Sequence, residues 1–391
     1  MKGAYRVADV FRAGWSDFRR TNTVISHVNR VVHHILQCRT KSLGGHLYRC
    51  DQCGSEVPVY NSCRDRSCPT CQTSTKERWL DKRLKELLPA AYFHLVFTLP
   101  HDLNPLIAAN RREVIKELFS TVNWVLQKFA ADPQWKLEGQ LGYVAILHTW
   151  TQKLLPHYHI HCLVPGGAWN EEKGEWRDSH PKYLFGQDAL CAAFRARFIK
   201  RLESLRRRDK LKMTGAAAKW SEAEHWDRLI EKLWSVKWVV YPKATSSGPE
   251  KVLEYLGRYT HRVAISDHRI LDVSDGKVTF TWRDRSDDNK KKKCTLPVEK
   301  FIARFIHHIL PSGFHKIRYM GFLSARNKKQ KMKKIRAALK TEAPENPHSD
   351  ETLPERILRR TGTDITLCPQ CKKGHLQAAT IIKPAKTNRP P

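Results

Sequence analysis

The amino-acid sequence predicts an α+β chain: an antiparallel sheet with flanking helices, preceded by a small zinc-ribbon-like module. Three observations lead there. Short runs rich in β-branched and aromatic residues alternate with amphipathic helical runs. Two of the strand-like runs, 142–151 and 157–164, are close enough to pair as a hairpin. Ahead of them, six of the eleven cysteines fall between Cys38 and Cys71, in a chain with no mark of secretion.

Taken in order, residues 1–36 carry a helical apolar pattern through Val10, Phe11, Trp15 and Phe18, then Val24, Val28, Val31, Val32 and Ile35. After the cysteines, residues 76–88 read as a charged helix with Trp79, Leu80, Leu84, Leu87 and Leu88 on one side, stopped by Pro89. Ala91 to Leu99 is a strand ending at Pro100, and one long helix fits 105–131. The hairpin follows, then a helix over 187–207 with a basic end and a short strand from Trp238 to Tyr241. Ser247-Gly248-Pro249 opens a helix of about ten residues, since proline suits a first helical turn. Short strands fit 262–266, 269–273 and 277–283, followed from about 324 by a basic helix and a linker rich in Pro, Glu and Thr. These elements suggest boundaries at 1–90 (helical and zinc-binding), 91–285 (sheet and tyrosine helix), 286–345 (basic extension) and 346–391 (linker and cysteine-bearing tail).

Composition narrows the partner. Seventy Lys and Arg against thirty-nine Asp and Glu give a net charge of +31, spread along the chain. A fold this basic repels itself unless a polyanion neutralises it, which points to nucleic acid. No run of eighteen apolar residues and no signal-peptide pattern occurs, so a cytoplasmic, nucleoid-associated protein is expected, with no membrane and no small-molecule substrate. A Walker-type phosphate loop is absent, and with it that kind of helicase motor.

Cytosolic cysteines in Cys-x-x-Cys turns read as metal ligands rather than disulfides. Cys50/Cys53 and Cys68/Cys71, with fourteen residues between the turns, are expected to form one tetrahedral structural zinc site. Cys38, His46 and Cys63 make most of a second. Cys368 and Cys371 are half a site, to be completed by His375 and a distant ligand such as Cys38, or to bind nothing firmly. Cys162, Cys191 and Cys294 stand alone and read as small buried thiols.

Side chains alternate along a strand, so His157, His159 and His161 share a face. A buried face seldom gathers three imidazoles, and His148 lies on the strand that must pair with them. A turn over Lys153 to Pro156 places His148 opposite His161 and His159 opposite Trp150, with His157 beside the turn, free to support the ligands or touch DNA. Three imidazoles suit Mn, Zn, Fe, Co or Ni better than Mg, and three protein ligands leave positions open for a substrate oxygen. On the helix opened by Pro249, Tyr255 and Tyr259 lie one turn apart. With Val252 and Leu256 they also form an ordinary apolar stripe, so core packing is the simpler reading of these residues alone. Gly257 is unfavourable in a helix interior, and Arg258, His261 and Arg262 supply the positive charge that a phenolate nucleophile and a phosphate both require.

Together, CRTKSLGGHLYRCDQCG, NSCRDRSCPTCQ, YFHLVFTLP, HYHIHCLVPGG, YLGRYTHRVAIS and GFHKIRYMGFLSARN, in that order over most of residues 30–327, resemble the two-tyrosine HUH transposases of the insertion sequence 91 family. HUH denotes histidine, hydrophobic residue, histidine, here His159-Ile160-His161. The resemblance implies an HUH-endonuclease-type sheet with this strand central and the tyrosine helix beside it. It implies rolling-circle transposition: a tyrosine cleaves single-stranded DNA at element ends and target, keeps the 5′-phosphate and frees a 3′-OH, with a host helicase assisting. Tyr255 and Tyr259 become the nucleophiles, and His159 and His161 ligands of Mn or Mg, while His148 rests on spacing rather than on the family. The resemblance offers no partner for Cys368 and Cys371. A replication initiator or relaxase with the same chemistry, or a non-catalytic zinc-ribbon regulator, are the alternatives.

Overall fold

The computed structural model describes residues 5–245, 251, 253, 257, 264–344 and 350–385. The chain divides into two units, each assembled from separated stretches: 1–75, 261–302 and 345–391 in one, 76–260 and 303–344 in the other. The contiguous boundaries expected at 90, 285 and 345 are thus replaced by an interleaved arrangement. The reason is strand pairing, which takes its partners from wherever the chain supplies them.

In the first unit, helices α1 (Val7–Thr21) and α2 (Ser26–Gln37) bury Val10, Phe11, Trp15, Phe18, Val28, Val31, Val32 and Ile35, the stripe legible in the sequence. Strands are numbered along the chain. β1 (Gly45–Cys50) and β2 (Glu56–Tyr60) form a hairpin, and β13 (Leu376–Ile382) pairs antiparallel with β1 to make the order β13-β1-β2. The tail expected as a linker therefore carries structure. Its helix Leu353–Thr361 is opened by a capping box between Thr352 and Glu355. β9 (Ile270–Ser274), β10 (Lys277–Asp284) and β11 (Lys290–Pro297) form a meander. β11 escapes a hydrophobicity reading because its sequence is KKKKCTLP, the lysine-studded composition that keeps an edge strand from pairing with other chains. The strand expected at 262–266 lies partly outside the described residues, and Ala264–Ser266 are not in a strand.

The second unit is built on a five-stranded antiparallel sheet, ordered β12-β4-β5-β3-β8: β3 (Tyr92–Thr98), β4 (Gly142–Trp150), β5 (Pro156–Pro165), β8 (Val239–Ala244) and β12 (Ile317–Gly321). β5, the histidine strand, is central, and β6 (Gly167–Asn170) with β7 (Glu175–Asp178) forms a separate two-stranded ribbon. One face carries Phe93, Leu95, Phe97, Tyr143, Leu147, Tyr158, Ile160 and Val164 into the main core. There they meet Leu118, Phe119 and Val122 of the helix Arg111–Ala131 and Phe194 and Phe198 of the helix Gln187–Arg207. The opposite face carries Val144, Ile146 and Leu163, packed with Trp79, Leu80, Leu253, Phe322, Met332 and Ile335. Both faces are covered, so β4 is buried along its length except at Trp150.

The single helix expected over 105–131 is two, Asn104–Ala109 and Arg111–Ala131, broken at Asn110. The Asn110 amide donates to the carbonyls of Leu106 (3.1 Å) and Lys212 (2.8 Å), and its oxygen accepts from the Lys212 amide (2.6 Å). A side chain that competes for backbone groups in this way interrupts a helix that periodicity alone would continue. The helix Ala223–Ser235 and strands β1, β2, β11 and β12 were not expected from the sequence.

Candidate functional site

β4 and β5 carry the histidines because both strands are long, apolar and antiparallel, and both turn their even-odd alternation so that the imidazoles share one face with Val144, Ile146 and Leu163. His148, His159 and His161 are all buried, and one nitrogen from each lies within 4.8 Å of the others. His148 Nδ1 is 2.9 Å from His159 Nε2, which is 3.1 Å from His161 Nε2.

The register differs from the expected one. His148 pairs with His159, and Ile146 with His161. The turn is tighter and earlier than Lys153–Pro156: the Thr151 amide donates to Leu155, the Leu154 amide donates to Thr151, and Pro156 already begins β5. Leu154 takes a left-handed conformation (φ 62°) with its side chain fully buried, and a bulge precedes it between His148 and Trp150. The displacement is two residues, an even number. Every side chain therefore stays on its expected face, and the convergence of three imidazoles survives the change of partner.

Two further contacts orient the rings. His159 Nδ1 lies 3.1 Å from the His157 carbonyl oxygen, so it is the nitrogen that carries the proton, leaving Nε2 as the donor atom toward a metal. His161 Nδ1 lies 2.9 Å from His94 Nε2, with the two rings stacked. Burial, aided by Lys243, pushes the His94 pKa down to about 4, so His94 is neutral at pH 7 and able to accept the His161 proton. Burial and the neighbouring imidazoles likewise hold His148 well below its usual range. Three converging imidazoles fit a divalent ion, softer metals best. His94 was missed by sequence reasoning. The available signal was an isolated histidine inside the strand YFHLVFT, at a position of the alternation that faces the cluster.

Other members of the expected site are placed as follows. His157 Nδ1 meets His101 Nε2 at 2.8 Å, outside the converging set. Trp150 sets its ring edge-on against His148 with centroids 4.0 Å apart, and Lys316 Nζ lies 5.7 Å from the Trp150 centroid. Positive charge is therefore available beside the histidines. Tyr255, Tyr259, Arg258, His261 and Arg262 lie outside the described residues. Of that segment, Leu253 is buried with Ile146 and Leu163, and Gly257 backs onto Leu80, where a Cβ would come within 3.0 Å of the leucine side chain.

The cysteines regroup. Cys38, Cys63, Cys68 and Cys71 converge in one cluster, and Cys50, Cys53, Cys368 and Cys371 in another. The expected Cys50/Cys53 with Cys68/Cys71 pairing is not formed, because the β1–β2 turn carries the first Cys-x-x-Cys away from the second. His46 sits exposed on β1 and is not among the converging groups, nor are His375 and Cys38 ligands beside Cys368. In the first cluster, Cys63 and Cys71 Sγ are 3.7 Å apart. Mutual hydrogen bonding drives Cys38 far below the thiol range, with Cys63 the largest cause, and pushes Cys63 and Cys68 up, with Cys38 the largest cause of each. Thiols packed this closely compete for protons, a conflict that metal coordination removes by ionising all four.

Residues 142–331 match a family model described as "Putative transposase", and residues 10–99 one described as "Transposase zinc-binding domain". The chain is 39% identical over 379 residues to the putative transposase y4qJ of Sinorhizobium fredii, covering 96% of this chain and 95% of that one. It is 29% identical over 326 residues to the transposase for insertion sequence element IS801 of Pseudomonas savastanoi pv. phaseolicola, covering 80% and 74%. Among solved structures, the conjugative relaxase TrwC in complex with oriT DNA is similar in its metal-bound form at 15% identity and TM-score 0.24, over 44% of this chain and 71% of that chain. Its copper-bound form is similar at 12% identity and TM-score 0.24, over 60% and 93%.

Proposed function

The chain belongs to the insertion sequence 91 family of transposases, with a DNA-acting domain and a zinc-binding domain, and on that premise we propose that it nicks single-stranded DNA through a 5′-phosphotyrosine and moves the element by rolling-circle strand transfer. The observation that carries this reading is the burial of His148, His159 and His161 with one nitrogen each within 4.8 Å, on the central strand β5 and its neighbour β4. These residues would hold Mn or Mg, with Mn the better match to imidazole, and the ion would polarise the scissile phosphate. The chain's own contribution is orientation. His157 and His94 fix the ring tautomers, and the burial of His148 keeps it neutral.

Tyr255 and Tyr259 are the proposed nucleophiles. The tyrosine hydroxyl gives up its proton as its oxygen attacks phosphorus, the bond to the 3′ oxygen breaks, the 5′-phosphate stays on tyrosine, and the departing 3′ oxygen takes up a proton as the free 3′-OH. A second tyrosine permits a second exchange while the first strand is still held. The substrate is single-stranded or locally melted DNA at element ends and target, because tyrosine must reach a splayed phosphate, and a host helicase supplies the strand in the cytoplasm. A relative 39% identical over nearly the whole chain favours transposition over plasmid replication, conjugation or a purely regulatory role.

Labelled single-stranded element ends, incubated with the protein and Mn or Mg, should give a covalent adduct that survives denaturing electrophoresis. Tyr255→Phe and Tyr259→Phe should each impair strand transfer while leaving DNA binding intact, and the double variant should form no adduct. A persistent adduct in the double variant would assign the nucleophile elsewhere. Equal cutting of blunt duplex would remove the single-strand requirement.

A further inference from the structure

The C-terminal Cys-x-x-Cys is left unused by the proposed chemistry, and the matched zinc-binding domain ends at residue 99, far short of it. Its surroundings are nonetheless built to hold a metal. Cys50 Sγ lies 3.7 Å from Cys371 Sγ, and Cys53 Sγ lies 3.7 Å from Cys368 Sγ. A zinc bound to four thiolates at about 2.3 Å in a tetrahedron spaces its sulfurs about 3.8 Å apart. A disulfide would need about 2.0 Å. Both distances match the tetrahedral spacing, and all four sulfurs lie within 4.8 Å of one another.

The two turns share one backbone bond, from the amide four residues on to the first cysteine's carbonyl, and each aims an amide at a cysteine sulfur three residues back. In the first, the Cys53 amide points at Cys50 Sγ (3.5 Å) and the Gly54 amide donates to the Cys50 carbonyl (3.1 Å). In the second, the Gly374 amide points at Cys371 Sγ (3.4 Å) and the Lys372 amide donates to the Cys368 carbonyl (3.0 Å). Amides aimed at sulfur favour the thiolate, the form that binds metal. The turns are tied directly to each other: the Asp51 amide donates to the His375 carbonyl (3.1 Å), and the His375 amide donates to the Asp51 carboxylate (2.8 Å). Gly374 permits this approach, since a Cβ there would sit 2.5 Å from Cys50 Sγ. From the second turn the chain runs straight into β13, which pairs with β1 from Gly45 to Cys50.

We propose that Cys50, Cys53, Cys368 and Cys371 bind a second structural zinc, which fastens the C-terminal tail onto the β1–β2 hairpin and completes the zinc-binding module only when the end of the chain is present. The Cys38, Cys63, Cys68 and Cys71 set holds the other zinc, so each chain carries two tetrathiolate sites. This assignment is independent of the histidine centre and of the nuclease chemistry.

The test uses the full-length protein loaded with cobalt, whose sulfur-to-metal charge-transfer absorption counts thiolate sites and is blind to imidazole-only sites. The Cys368→Ser, Cys371→Ser double variant should lose half of that absorption per chain and release one equivalent of metal. Unchanged absorption would overturn the proposal. A second measurement needs no variant and so does not depend on the mutant folding. In the zinc-loaded wild type, alkylation mapped by mass spectrometry should find Cys50, Cys53, Cys368 and Cys371 protected together, and released together as a chelator is titrated in, with Cys294, half-buried rather than buried as expected and outside both clusters, as the metal-free reference. Rapid labelling of Cys368 and Cys371 while Cys50 and Cys53 stay protected would likewise overturn it.

Discussion

A histidine that binds a metal through Nε2 must give its Nδ1 proton to an acceptor, and for His161 that acceptor is His94 at 2.9 Å. Because burial holds His94 near pKa 4, the acceptor stays neutral and lays no positive charge against the metal. Replacing it with leucine should weaken Mn binding by about 10–100-fold, measured by calorimetric titration. His94→Gln keeps an acceptor oxygen and should recover much of the loss. Equal affinity in His94→Leu and wild type would reduce His94 to a packing residue. At this same scale the sequence was legible for His159 and His161, since alternation alone assigns them to one face, and for His148 through the strand that pairs with them. For His94 the alternation of YFHLVFT marks the right face, yet a lone histidine in an apolar strand does not by itself separate a positioning role from ordinary packing.

Among the elements, two interruptions illustrate what periodicity leaves undetermined. The break at Asn110 depends on Lys212, a residue 102 positions away, so no local window contains its cause. Asn110→Ala removes three hydrogen bonds at a buried site and should lower the unfolding free energy by roughly 1–3 kcal/mol, read from denaturant midpoints at constant slope. At the end of β12, Gly321 has φ 57°, and a Cβ there would overlap the Leu141 carbonyl oxygen. β12 pairs with β4, the strand that carries His148, from Ile317 to Gly321. Gly321→Ala should therefore cost on the order of 1–3 kcal/mol or more and lower both the thermal midpoint and metal affinity. An unchanged midpoint would mean the strand end relaxes freely. The hairpin register belongs here too: Leu154 and the bulge set it through tertiary packing, whereas the faces survive because the shift is even.

For the whole molecule, the charge of +31 implies binding dominated by phosphate neutralisation. On single-stranded DNA each neutralised phosphate contributes a slope of about −0.7 to log K against log salt. With six or more such contacts, affinity should fall on the order of a hundredfold or more between 50 and 200 mM salt, measured by fluorescence anisotropy. A flat salt dependence would remove the polyanion reading. Among the described residues no helix is long and apolar enough to cross a membrane.

The sequence by itself determined the α+β class, most of the helices and strands that line the two sheet faces, the shared face of His159 and His161 and the basic character. Each of these follows from local periodicity, motif or composition, which a linear reading contains in full. Tertiary structure decided which cysteines meet, which histidines pair across the hairpin, and that the tail closes onto β1. Cys53 and Cys368 are 315 positions apart, while Cys53 and Cys68 are close in sequence yet separated in the fold. Loop-closure entropy grows only logarithmically, so the distant partner costs roughly 3 kcal/mol more than the near one, a difference that strand pairing and coordination by four thiolates readily exceed. Sequence separation is therefore a weak guide to ligand choice, and the geometry of β1, β2 and β13 makes that choice instead.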